Sequence, residues 1–220
     1  MKKTMLALAT MLSLCSLSSA AQAQDVYLGV GFPGGATLGY ATPITPSLGL
    51  RGEVATGLSA TRDFSQDWIS LTGTAKASRS GVFTDWFPFD NGFRVALGVT
   101  SNDIQANLAS YGGTATINGK TVNIANEKLA VSIKFPTATP YLGIGYGHQN
   151  STQKGIGFYV DLGVMFGQFD TQVNTSLLNK TIGGITITQA DIDAQTQSMR
   201  NNLGNVNMIP SVSAGLTFRF

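Results

Sequence analysis

The sequence predicts an all-β chain: a transmembrane, antiparallel, up-and-down β-barrel of eight strands, with a short helix in its last long loop. Three observations predict it. Apolar residues recur at every second position in eight segments, each near the roughly 9–11 residues a tilted strand needs to cross a bilayer. The face opposite the apolar one is made of glycine, small polar residues and a few charges, where a soluble sandwich would present a charged outer surface. The connections fall into two classes, short on one side and long on the other. Composition agrees, because only 12% of the chain is charged while 26 residues are glycine.

The first element is not part of the barrel. Met1-Lys2-Lys3 opens a basic leader, Thr4 to Leu17 is apolar, and Ala21-Gln22-Ala23 has the small-x-small form of a cleavage site. Residues 1–23 therefore read as a secretory signal peptide and residues 24–220 as the barrel. Cys15 raises a lipoprotein alternative, which Leu14 before it disfavours. After cleavage no cysteine remains to form a disulfide or a thiolate metal site. Of the 14 Lys and Arg residues, Lys2 and Lys3 leave with the leader, so the rest balances the 12 acidic residues and points to no nucleic-acid partner.

The strands follow in order. Val26–Phe32 and Ala36–Thr42 are joined at Pro33–Gly35. Leu48–Ala60 follows, then Ile69–Ala77 continuing into Val82–Phe89, and Phe93–Thr100. Tyr141–His148, Gly155–Gly167 and Ile209–Phe220 complete the eight. One face carries Val26, Leu28, Val30 and Phe32, then Leu48, Leu50, Val54 and Leu58, and so on to Leu216, Phe218 and Phe220. In the fourth segment the apolar parity changes between Ala75 and Trp86, which predicts a one-residue bulge at Gly81 and places Asp85 in the lumen. The chain ends inside an alternating strand. Phe218 and Phe220 there resemble the C-terminal sorting signal that bacterial outer-membrane proteins present to their assembly machinery.

Pro43–Ser47, Asp90–Asn91 and Gln149–Lys154 form the short class of connections, while Thr100–Thr139 and Gln168–Met208 are the longest of the other. Short periplasmic turns and long outer loops put both mature termini in the periplasm. Asn118-Gly119 is a hairpin turn signal. Leu129, Val131, Ile133 and Phe135 read as a tall strand that extends the wall, and a ten-stranded ring using it is the alternative. Thr188 to Asp191 is a capping-box start for a helix over Gln189–Leu203, with a thin apolar stripe of Ile192, Met199 and Leu203.

The interior residues suggest one site. Arg51, Glu53, Asp85, Arg94 and Arg219 all lie near a short turn or a terminus, and Asp161 lies near the middle of its strand. An eight-stranded barrel is only just wide enough for its own side chains, and an unpaired charge there is costly. A salt-bridged plug in the periplasmic half, under a more open glycine-lined upper half, is the expectation.

Thr139-Pro-Tyr-Leu-Gly-Ile-Gly-Tyr-Gly147, Gly157-Phe-Tyr-Val-Asp-Leu-Gly-Val-Met-Phe-Gly167 and the closing strand from Ile209-Pro210 to Phe220 carry a family resemblance. The pattern is similar to the small ornithine-uptake, carbapenem-associated porin family of gamma-proteobacteria, and more loosely to OmpW-like barrels. The resemblance implies an outer-membrane barrel through which small basic amino acids pass. It assigns that selectivity to no residue here. The chain is expected to be a monomer in contact with outer-membrane lipid and lipopolysaccharide.

Other chemistry has little support. His148, the only histidine, falls on the lipid-facing parity at the periplasmic end, which does not suit a general base for outer-leaflet lipid hydrolysis. Gly29-Val-Gly31-Phe-Pro-Gly34 matches a dinucleotide fingerprint by count, but Pro33-Gly34-Gly35 is a turn and not a helix start. No catalytic residue, metal or cofactor is expected. The expected role is non-enzymatic: envelope integrity, or passive permeation of small polar solutes. The alternatives are an adhesion or receptor barrel acting through the long loops, and a soluble exported β-sandwich that binds a ligand.

Overall fold

Because successive side chains of a strand point to opposite faces, a closed sheet sorts an alternating sequence into an outside and an inside. The computed structural model describes residues 24–66, 69–89, 91–124, 127–148, 154–204 and 206–220. The leader at residues 1–23 lies outside them. The strands are β1 Asp25–Phe32, β2 Gly35–Thr45, β3 Leu48–Gln66, β4 Ile69–Trp86, β5 Phe93–Ile117, β6 Lys120–Asn123, β7 Leu129–Lys134, β8 Ala138–Tyr146, β9 Gly155–Phe166, β10 Asp170–Thr175, β11 Thr181–Ile182, β12 Ile185–Thr186 and β13 Met208–Arg219. Helix α1 spans Gln189–Gly204.

The ring runs β1, β2, β3, β4, β5, β8, β9, β13 and closes on itself. Closure is antiparallel, with Asp25 opposite Arg219 and Phe32 opposite Val212. Eight strands therefore make the barrel. The ten-strand alternative fails because β7 joins the ring only at Gln105–Ser110, on the upper part of β5, and β10 pairs with β7 in turn. Both described termini and the turn at Pro46–Ser47 sit at one end, here the lower end; the long connections leave from the upper end.

The outside of the lower barrel is apolar. Leu28, Val30, Leu97, Phe158 and Leu216 are exposed, and Ile156 is 79% accessible. Such a continuous apolar surface marks contact with a membrane or a partner. Aromatic rings gather near the lower rim, where Tyr146 and Phe158 stack at 6.1 Å and Phe218 and Phe220 at 6.4 Å. Amphipathic aromatic belts take this position at a membrane surface.

Higher up the pattern inverts. On β5 the residues facing out change from Val95, Leu97 and Val99 to Asp103, Gln105 and Asn107, while Ile104, Ala106 and Leu108 take the inward parity. The same inversion on β4 corrects the bulge expected at Gly81. Gly81 pairs in unbroken register with Glu53 and Thr100, and Asp85 is inward without any bulge. An apolar stripe that moves from the outer to the inner face mimics a one-residue insertion when read as sequence. The shift in that ladder lies on β3, where the two residues Thr56 and Gly57 fall between the pairs Ala55–Arg79 and Leu58–Ala77. Gly57 has φ of 105°, which favours glycine at that bulge. The bulge also moves Leu58, expected outside, to the inward register row of Ala77.

The long connections fold into a cap with its own apolar core of Ala115, Ile117, Val122, Ile124, Leu177, Ile187 and Ile192. The Asn118-Gly119 turn joins β5 to β6 with φ of 49° and 77°. Helix α1 begins as a capping box, the Thr188 amide donating to Asp191 Oδ2 at 2.9 Å and the Asp191 amide to Thr188 Oγ1 at 3.4 Å. Of the expected stripe, Ile192 is buried in the cap core, Met199 is half-buried, and the side chain of Leu203 lies outside the described residues.

Candidate functional site: a charge-filled barrel interior

Inward positions at the lower end of β3, β4, β5 and β9 bring Arg51, Glu53, Asp85, Arg94 and Asp161 together, all buried. Arg51 Nε donates to Asp85 Oδ2 and its Nη1 to Glu53 Oε2, both at 2.9 Å. The same Nη1 lies 3.6 Å from Asp161 on the far side of the ring. Arg94, which has no exposed surface, pairs with Asp85 at 3.4 Å and with Asp161, and donates to the Gly147 carbonyl at 2.8 Å. Arg51, Asp85, Arg94 and Asp161 thus form a closed cycle of alternating charge.

Arg79 extends the network and was missed by the sequence reading. It pairs with Glu53 and donates to Ser211 Oγ at 2.6 Å. Its signal was available: residue 79 shares the parity of Phe83 and Asp85, and only the supposed bulge at Gly81 hid it. Tyr27 donates to Glu53 Oε2 at 2.9 Å. Arg51, Arg79 and Arg94 balance Glu53, Asp85 and Asp161, so the group is neutral with every charge paired.

Asp161 joins the network as expected of the plug, its side chain reaching Arg94 over Gly145 of the intervening β8. Arg219, expected in the same plug, stands apart. It makes a bidentate bond to Asp25 at 2.7 and 2.8 Å at the closure of the ring. Asp25 precedes the first clear alternation and carried no sequence signal. His148, expected on the lipid face, is buried, with its ring 4.2 Å from that of Tyr27 and Nδ1 3.6 Å from Asp25. Gly147 and His148 both have positive φ, 92° and 48°, which ends the strand parity at Tyr146 and turns the imidazole inward.

The glycines do not line an open upper half. A Cβ on Gly39 would clash with the Tyr27 ring, one on Gly81 with Phe83, and ones on Gly143 and Gly163 with Tyr141. Gly145 leaves room for the Arg94–Asp161 pair in the same way. These glycines are imprints of large side chains on the same or the neighbouring strand. Packed against the charges, Phe83, Ala96, Phe135, Tyr141, Met165 and Ile209 form an apolar cluster. The Arg51 guanidinium lies 4.4 Å over the Phe83 ring and joins the two groups.

Phe218 and Phe220 are exposed on the outer face of β13 and just beyond it. Among the described residues no cluster of side chains has metal-binding geometry.

Fold and interior define the class: a closed eight-stranded barrel, apolar outside and ion-paired within. No family model matches the chain, and no curated protein matches it. Two solved structures are similar. Acinetobacter baumannii CarO2 aligns with a TM-score of 0.59 at 16% identity, covering 90% of this chain and 99% of that one. CarO from the same organism aligns at 0.55 and 15% identity, covering 89% and 97%. The likeness read from Thr139–Gly147, Gly157–Gly167 and the closing strand is therefore met in the fold.

Proposed function

We propose that the protein is an integral barrel of the bacterial outer membrane whose interior is closed at rest, and that it serves the envelope without catalysing a reaction. The carrying observation is the filling of the interior: Arg51, Arg79, Arg94, Glu53, Asp85 and Asp161 are each less than 10% exposed, packed against an apolar cluster that contains Phe83 and Tyr141. The apolar exterior and lower aromatic belt support the membrane setting. In this reading residues 1–23 are removed on export, both termini face the periplasm, the assembly machinery reads Phe218 and Phe220, and the monomer holds its cap among lipopolysaccharide.

A second reading, passage of small polar solutes, is favoured by one observation. Arg79 Nε, Asp161 Oδ2 and Asn102 Oδ1 are buried without hydrogen-bond partners, so the polar interior holds bonding capacity that a rearranged state could use. Planar-bilayer recording on refolded protein decides between the two. A closed barrel gives no steady single-channel steps in wild type or in Glu53→Ala. Reproducible steps in wild type would replace the closed reading with a gated one.

A further inference from the structure

The barrel wall is uneven. Strand β9 pairs with β13 along its whole length, Gly155 to Phe166. On its other side it pairs with β8 only from Val160 to Met165. Below Val160 a cleft opens at this seam, lined by Tyr146, His148, Lys154, Ile156, Phe158 and Thr217, among others.

The lining has two characters. Tyr146, Ile156 and Phe158 belong to the exposed outer face and are apolar or aromatic. His148 and Thr217 are inward, 4% and 5% exposed; His148 Nδ1 faces Asp25 at 3.6 Å, while the Thr217 hydroxyl has no hydrogen-bond partner. Burying a hydroxyl unpaired is costly. Lys154 adds an exposed cation at the mouth, while the Arg219 charge is matched by Asp25. The cleft therefore sets an exposed ammonium and a buried hydroxyl donor directly beside grease.

We propose that this cleft binds the phosphate of a phospholipid from the periplasmic leaflet. The phosphodiester would accept from Lys154 Nζ and the Thr217 hydroxyl, and its acyl chains would lie along Ile156 and Phe158. A phosphate offers several acceptor oxygens to these convergent donors, and the outer apolar face continues the site into the hydrocarbon region. The proposal rests on the membrane-embedded reading of the barrel.

Native mass spectrometry of refolded protein in non-ionic detergent tests it, with phosphatidylglycerol as probe and diacylglycerol and inorganic phosphate as controls. The expected result is one phosphatidylglycerol retained per wild-type chain and no retained diacylglycerol. Lys154→Ala and Thr217→Val should each weaken retention about tenfold, the size of one lost charge-assisted bond. Lys154 is exposed, and Thr217→Val preserves shape, so both variants should keep the fold. Equal retention in the variants, equal retention of diacylglycerol, or capture of inorganic phosphate without lipid would overturn the site. Insertion into lipid vesicles and a heat-dependent gel shift are scored on the same samples. If these succeed and the lipid is not held, only this inference falls; if they fail, the membrane reading falls first.

Discussion

The barrel below the rim and the cap above it are built by opposite rules. In the barrel the greasy side chains of β1, β9 and β13 look outward, and arginines and carboxylates fill the middle. In the cap, Ile124, Leu177 and Ile187 are fully buried in the middle, while Lys120, Glu127 and Lys180 hold the rim. Strands β4 and β5 pass through both regions and switch parity on the way, which shows that the local surroundings, not the strand, decide which face is apolar. An outer face in hydrocarbon must be apolar, and one in water must be polar.

The largest effect expected from breaking this contrast lies in the barrel interior. Arg51→Ala leaves Glu53, Asp85 and Asp161 short of a cation, and breaking a buried pair costs about 3–5 kcal/mol. Urea titration of the refolded barrel, followed by its gel mobility, should show a large fall in midpoint. Removing Leu177 from the cap core should cost about 2–5 kcal/mol by the cavity it leaves, but only within the cap. Leu177→Ala should then speed protease nicking of the cap while leaving the barrel's mobility shift intact. Loss of the shift would mean that the two regions fold as one unit.

A third test sharpens the inversion on a single strand. Leu97 and Asn107 share the outward parity of β5, below and above the switch. Leu97→Lys should cost about 2–4 kcal/mol if it sits near mid-membrane, and Asn107→Lys close to nothing, because charge on a lipid face is penalised by depth. Equal unfolding midpoints for the two variants would place Leu97 outside the hydrocarbon.

Much of this was legible in sequence, for physical reasons. Alternation at a period of two revealed all eight ring strands because both faces of the lower barrel are strongly contrasted. Arg51, Glu53, Asp85 and Arg94 could be grouped because depth follows from distance to a turn. What could not be read depended on the third dimension. Gly39, Gly81 and Gly143 looked like open space, since a sequence does not show that the ring of Tyr27 on the neighbouring strand, or of Phe83 and Tyr141 two residues away, folds over them. His148 was misplaced because positive φ at Gly147 and His148 breaks the parity rule. Arg79 was lost to an inversion that resembled a bulge, and Asp25 became visible only when ring closure set it opposite Arg219.

The smallest expected effect concerns how the cap is held. Asp191, at the start of α1, accepts from Lys120 Nζ at 2.6 Å, Asn118 Nδ2 at 3.1 Å and the Thr188 amide at 2.9 Å. The Lys120 ammonium, followed by the Thr188 and Asn118 donors, holds its carboxyl well below the usual carboxylate range. A carboxyl whose pKa is depressed by folding contributes stability that is fully present above its unfolded value, near about 3.9, and is lost as pH falls through the lower folded value. The contact between α1 and the Asn118-Gly119 turn should therefore persist through pH 4 and give way only in stronger acid. The Thr188 amide resonance reports it directly, and its shift should stay flat down to that range before moving. Asp191→Asn should abolish the acid transition and loosen the helix start at neutral pH, leaving the barrel unchanged. A Thr188 transition centred near pH 4 would mean that Lys120 does not hold the carboxylate, and that the cap depends on its apolar core alone.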